Sequence, residues 1–448
     1  MSLEYFEGPA GCGKTYQLIE ALKVLLKDRP LIEAQAVLGL TYMHGSRRRM
    51  HNRLAGVTAL RGRFIACTVD SLARQVVFRW RTLAREVEPG LDLGASADFG
   101  GICRVAALLL GRECVSGWLR VRYPMIVVDE LQDCRGDRLC IIQGIESCCH
   151  VIAAADEFQD LQPDGANTAV QWLHGGAGKQ NVLTGNRRTK TAILLNAASQ
   201  LRSTQDCGDI LGNTLLPGRN ANAAAGGIAR TLYWKKSKDV AILTPTGPDK
   251  NRFVRDVVTR LVSAPITPKG IPSAVGPFRI VWESNVEEEK AAVIDTLGSL
   301  VNGTTLQVLR TIASGDTGAL ADLLQWAERK LRVRGQAQFS AGEITIAIDR
   351  ILQSRRAYAP SGHPGIIRAM TINQAKNREF EGVIILWPFA VAGDLESLRR
   401  RLYNGLTRAQ KWAVVMVQEN TKGPSRLSLP PFSKAVKFAS EAAAPLPA

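Results

Sequence analysis

The stretch EGPAGCGKTYQL, residues 7–18, decides the fold. Gly8, Gly13, Lys14 and Thr15 fill the pattern G-x-x-x-x-G-K-T, and Pro9, Ala10, Gly11 and Cys12 complete the loop. Glycines let the backbone turn several N–H groups toward phosphate oxygens, the lysine reaches the β/γ-phosphates, and the threonine hydroxyl suits Mg²⁺. Leu3 to Phe6 reads as a strand before the loop, and the apolar positions of YQLIEALKVLLK follow at helical spacing. The loop therefore opens a helix whose positive end faces the anion, which predicts an α/β domain that binds ATP with Mg²⁺.

Outward from the loop, YPMIVVDELQD is a short apolar strand running into acids, and CCHVIAAADEFQD repeats the form. Such strands deliver carboxylates to the C-terminal edge of a parallel sheet. Asp129 is predicted to hold Mg²⁺ and Glu130 to polarise the attacking water as general base. AVLGLTY and RFIACTVDSL read as buried strands that end in Thr or Ser near basic residues, a pattern suited to phosphate contacts. Strands alternating with helical stretches predict a doubly wound parallel sheet over residues 1–180. A second α/β domain is predicted from residues 181–262 plus 364–448, with a reduced, mainly helical insertion over 263–363 and a frayed tail, EAAAPLPA.

The 448 residues are 46% hydrophobic and 22% charged, ordinary for a soluble globular chain. No apolar run is long enough for a membrane span and no basic-then-apolar leader opens the chain, so a cytoplasmic protein is expected. A net charge of +16 favours a polyanionic partner over a merely solvated basic surface, and basic residues recur in GSRRRMHNRL, FRWRTLAR, RKLRVRG and LRRRL. Nine cysteines without a secretory leader predict reduced thiols. Cys134, Cys140, Cys148, Cys149 and His150 lack paired C-x-x-C spacing and read as packing, with a metal site as the alternative. Cys12, inside the phosphate loop, would be oxidation-sensitive if its pKa were lowered there.

Taken in order, GPAGCGKT, LTYMHGSRRRMHNRL, CTVDSLA, VVDELQD, AAADEFQD, LTGNRRT, AMTINQAKNREFEGVIIL and RRLYNGLTRA resemble the blocks of superfamily 1 DNA helicases of the UvrD/Rep/PcrA type. The resemblance covers nearly the whole chain and implies two RecA-like motor domains with ATP between them. It gives Lys14 and Thr15 the phosphate and Mg²⁺ contacts, Asp129 and Glu130 the metal and base roles, and Gln159 the sensing of the γ-phosphate. Arg188 and Arg408 match arginine fingers, Glu379 the acid near the ribose, and Arg187 stands where the family's N-Y-R-S places an aromatic on adenine. Thr41, His44, Arg53, Thr68 and Ser71 from the first domain, with Thr371 and Lys376 from the second, match contacts to the single-strand backbone. Such contacts need no base identity.

The function implied by resemblance is ATP-driven 3′-to-5′ movement on single-stranded DNA or at a single/double-strand junction. A DNA-stimulated ATPase that switches a protein partner, such as a nuclease, is the alternative within chemistry. A nucleotide-dependent binding module and a small-molecule kinase are the readings from other classes. Several positions depart from the family: MSLEYFE stands where a glutamine-containing segment reads adenine, and Asn373 and Asn377 replace the His and Gly of T-x-H-x-x-K-G. DLQPDGA lacks the aromatics that stack on DNA bases, each worth about 1–3 kcal/mol, which implies a weaker or relocated grip. Both accessory subdomains look reduced.

Overall fold

The computed structural model describes residues 2–42, 44–90, 99–161, 167–176, 178–203, 215–218, 220–283, 286–298, 303–316, 318–358, 365–419 and 431–432. Residues 162–166 of DLQPDGA, the tail EAAAPLPA and the side chain of His44 lie outside the described residues.

The first sheet is entirely parallel. Its strands are β1 (Leu3–Glu7), β2 (Val37–Thr41), β3 (Phe64–Thr68), β4 (Met125–Asp129), β5 (His150–Ala155) and β6 (Lys179–Val182), in the spatial order β3-β2-β4-β5-β1-β6. The core strands β2, β4 and β5 are almost continuously buried, the apolar run expected of strands covered on both faces. One face packs around Leu72, Val76, Leu109, Ile126 and Ile142, the other around Leu18, Leu22, Leu54, Val127 and Ile152.

A second parallel sheet contains β7 (Leu215–Gly218), β8 (Val240–Thr244) and β9 (Arg279–Trp282). A two-residue ribbon, β10 (Thr304–Thr305) with β11 (Gln338–Phe339), belongs to a separate helical unit. The second sheet is completed by β12 (Ile366–Thr371), β13 (Phe380–Trp387) and β14 (Ala409–Gln418), in the order β7-β14-β13-β8-β12-β9. Two parallel α/β sheets with helices on their faces are the architecture of paired RecA-like domains.

The helical unit consists of helices Val286–Leu297, Leu306–Ile312, Ala319–Arg334 and Ala341–Tyr358, closed around its own core of Leu309, Leu323, Phe339, Ile344 and Ile348. It starts later than the stretch 263–363 suggests: β9 lies inside that interval yet pairs with β12 as the edge strand of the second sheet. Its alternation of exposed and half-buried residues is why RIVW does not announce a core strand. Among the described residues no helix is long and apolar enough to cross a membrane.

Candidate nucleotide cleft between the two sheets

Register sets out the first half of the site. Thr41 pairs with both Thr68 and Asp129, so β2, β3 and β4 end level with one another and present their last residues on one edge. The phosphate loop leaves β1 toward the same cleft, and Gly11 and Gly13 take φ of 82° and 94°, the left-handed region that glycine enters freely. A side chain at Gly11 would also strike the Asn186 amide at 2.8 Å. Gly13 then starts the helix Lys14–Asp28.

The loop is held in shape from within. Lys14 Nζ donates to the carbonyls of Gly8 (2.7 Å) and Pro9 (3.1 Å) and lies 3.5 Å from the Asp156 carboxylate. Thr15 Oγ1 donates to Asp129 Oδ2 at 3.0 Å, which brings the two predicted metal-holding oxygens together. This pair of hard oxygen donors, beside a loop that turns backbone toward an anion, fits Mg²⁺ bound with phosphates.

The two adjacent carboxyls are pushed apart electrostatically. Burial, then the charge of Glu130, raises Asp129 to about 6. Glu130 is equally buried, but Lys14, Lys376, a hydrogen bond from Gln132 Nε2 at 2.6 Å and Arg408 outweigh that burial and hold it below the usual carboxylate range. An ionised carboxylate is what a general base requires. Glu130 also sits at φ 59°, ψ 45°, a region costly for a non-glycine residue.

The second half of the site crosses from the other sheet. Arg408, in the turn just before β14, is fully buried and donates to Gln159 Oε1 at 3.3 Å, while Gln159 Nε2 donates to Asp156 Oδ2 at 2.8 Å. Burial and the neighbouring Arg188 push the Arg408 guanidinium down to about 9, still charged at neutral pH. Arg188 donates to Glu379 Oε1 (2.8 Å) and to the Thr407 carbonyl (2.7 Å). Glu379, expected near a ribose, is thus the partner of an arginine finger candidate. Arg187 lays its guanidinium over the Tyr16 ring at 4.7 Å, at the mouth of the cleft. A cavity of about 330 Å³ joins Lys14, Thr15, Asp129, Glu130, Gln159, Arg187, Arg188 and Glu379, within the range of small-ligand sites.

Several residues of this cleft were given no role by the sequence, although all but Arg202 lie within the motif blocks. Arg49 lines it from the helix His44–Ala55, with Asp129, Glu130 and Glu379 around its charge. Tyr403 accepts the Ala10 N–H at 2.7 Å, and Asn186 donates to the Ala10 carbonyl at 3.0 Å. Asp156 and Arg202 form a 2.6 Å ion pair beneath the loop. Position alone could not mark these residues, because each acts on the loop from a distant segment.

The residues expected on DNA are arranged differently. Thr68 Oγ1 accepts from Ser71 N at 3.1 Å and pairs with Ser71 Oγ at 2.8 Å, so both serve as the cap of the helix Val69–Arg79. Thr41 is buried at the end of β2. Thr371 uses its hydroxyl and amide on Gln374. Lys376, half-buried, forms an ion pair with the buried Asp133 that spans the two domains. Arg53 lines the nucleotide cavity. Asn377 takes φ 66°, the conformation for which the family's glycine is suited and asparagine the next best residue, and donates to Ser46 Oγ across the cleft at 2.6 Å.

Burial raises the Cys12 thiol above its ordinary value, so the condition for an oxidation-sensitive loop is not met. Among the described residues no group of His, Cys, Asp and Glu is arranged to hold a metal; Cys134 and Cys149 are core, Cys140 is exposed, and His150 bonds Ser2 at 2.8 Å.

Residues 367–416, from β12 through β14, match the family model described as UvrD-like helicase C-terminal domain. Over that segment the family model agrees with the resemblance to UvrD-like helicases that the motif blocks carry. No curated protein matches the chain. Among solved structures, the chain is similar to an Arterivirus protein described as "Complex structure of Arterivirus nonstructural protein 10 (helicase) with DNA", at 11% identity and a TM-score of 0.36. That similarity covers 93% of this chain and 60% of the viral one.

Proposed function

We propose that the protein is an ATP- and Mg²⁺-dependent motor of the UvrD-like kind, coupling hydrolysis to movement along single-stranded DNA. The 3′-to-5′ direction and a cytoplasmic location belong to the proposal by resemblance and composition. The observation that carries it is the Gln159–Arg408 contact, which joins a residue beneath the phosphate loop to a buried arginine of the opposite domain. A nucleotide bound there would be sensed by both domains at once.

In this reading Lys14 and the loop amides hold the β/γ-phosphates, and Thr15 with Asp129 holds Mg²⁺. When bound, the metal supplies charge neutralisation at the phosphates. Glu130 receives the proton of the attacking water, its charge maintained by Lys14 and Lys376. Arg188 and Arg408 stabilise charge that develops in transfer, and burial makes the Arg408 charge seek an anion. Alternating closure of the cleft would then move two DNA grips along a strand, and the +16 net charge supports a polyanionic track.

A second reading is favoured by one observation: Lys376, Thr68, Ser71 and Thr371 already have partners inside the protein. A weak grip suits a DNA-stimulated ATPase that switches a partner, such as a nuclease, without processive unwinding. ATP turnover by the purified protein, with and without single-stranded DNA across a salt series and with Glu130→Gln as the blank, should show stimulation that fades with salt in either reading. Displacement of a strand from a tailed duplex then separates the two: displacement supports the motor, stimulated turnover without displacement supports the switch, and unstimulated turnover counts against both. Equal turnover in Glu130→Gln would overturn the site assignment itself.

A further inference from the structure

Arg202 lies outside every motif block, at the end of the helix Ala192–Arg202 that packs with the second sheet. Its guanidinium lies over the rings of Phe158 (5.4 Å) and Tyr403 (5.5 Å), and its Nη1 donates to Asp156 Oδ1 at 2.6 Å. Asp156 is fully buried, and its other oxygen accepts from Gln159 Nε2 at 2.8 Å. Lys14 Nζ stands 3.5 Å from that same oxygen, while its hydrogen bonds go to the Gly8 and Pro9 carbonyls.

This arrangement divides one buried negative charge between two cations. Without Arg202, the Asp156 carboxylate would have Lys14 as its one close cation and would draw it into a tight buried pair, since an uncompensated buried charge is costly. A lysine so engaged has its charge already satisfied and gains less from phosphate. With Arg202 in place, Lys14 rests on two neutral carbonyls, which phosphate oxygens displace readily because charged acceptors are the stronger ones.

We infer that Arg202 is a positioning residue which, by neutralising Asp156, leaves Lys14 available to phosphate and so lets the second domain tune nucleotide affinity. The inference rests on the proposed use of ATP. Its second point of contact is Tyr403, whose hydroxyl accepts the Ala10 N–H at 2.7 Å and lies 3.4 Å from Arg202 Nη1. The second domain therefore touches the loop through an amide and governs its lysine through a carboxylate.

The test is binding of a fluorescent ATP analogue to the full-length protein, read beside kcat and KM. Arg202→Gln should weaken the analogue's Kd about tenfold while kcat stays within about threefold. Adding Asp156→Asn to that variant should restore affinity to within about threefold of wild type, and Arg202→Lys, which keeps the charge, should bind nearly as the wild type does. Unchanged affinity with lowered kcat in Arg202→Gln, or a double variant weaker than the single, would overturn the inference. If thermal melting finds Arg202→Gln unfolded, Asp156→Asn alone reads the same effect: equal or tighter binding supports it, and weaker binding overturns it. A wild type that binds no analogue would sink the ATP reading and this inference together. Normal wild-type turnover with an unaffected Arg202→Gln would sink this inference alone.

Discussion

The cleft and the strand-end rim at Thr41, Thr68 and Thr371 are built on opposite terms. In the cleft, charges converge with less than full compensation: burial and Arg188 outweigh Glu130 and Glu379 in lowering Arg408, Asp129 is raised to about 6, and Lys14 rests on carbonyls. On the rim, the hydroxyls are satisfied at short range by the Thr68–Ser71 cap and the Thr371–Gln374 turn, and Lys376 is held by Asp133, whose own carboxyl burial raises to about 6. A site with unspent electrostatic demand is prepared for a charged ligand, whereas a satisfied one must break contacts to take one. The difference teaches that motif blocks of one chain can leave charge poorly compensated in one region and hydroxyls already hydrogen-bonded in another.

The comparison breaks most visibly at the cleft. Lys14→Ala should lower ATP turnover by about 10³-fold, and Glu130→Gln should retain nucleotide binding with turnover down by about 10²–10⁴-fold. Steady-state hydrolysis with a parallel binding titration checks both, and turnover surviving in either variant means that the convergent charges are not the chemical centre. Arg408→Ala should reduce kcat by about 10²-fold with ATP affinity little changed. Equal losses in the two would mark a ground-state contact instead.

The rim is tested through the same side chains that satisfy it. Lys376→Ala leaves Asp133 buried without its cation and should cost about 3 kcal/mol in chemical unfolding. The salt slope of DNA binding should stay constant; a slope reduced by about one would mean that Lys376 leaves Asp133 for phosphate. Thr68→Val should cost about 1 kcal/mol as a lost helix cap, with DNA affinity within about twofold.

A further effect is one of pH. Burial, partly offset by Lys376, raises Asp133 to about 6, above the unfolded value near 3.9. The folded state then binds this proton more tightly, so the group's contribution to stability grows as pH falls from 7 through 6 and is complete below about 4. Asp133→Asn should flatten stability across that window, and an unchanged pH profile would remove Asp133 from the account.

Much of the cleft is legible in one dimension because its chemistry depends on neighbours in sequence. The loop needs Gly11 and Gly13 at fixed offsets before Lys14 and Thr15, and β4 needs an apolar run ending in Asp129 and Glu130. The rim is less legible because Thr and Ser at strand ends serve phosphates and helix caps equally well, and Thr68 looks the same in both roles. β9 escapes for a related reason: an edge strand with mixed exposure lacks the apolar signature of β4.

By itself, then, the sequence determined a phosphate loop in strand-loop-helix context, a parallel α/β fold and the acids at the end of β4, since all of these follow from local backbone geometry and hydrophobic periodicity. Only the tertiary structure decided that Lys376 is held by Asp133, that Tyr403 caps the Ala10 amide and that Arg202 shares Asp156 with Lys14. Those pairings join residues far apart in the chain, and which partner a buried charge or amide takes is fixed by where packing brings the two domains together.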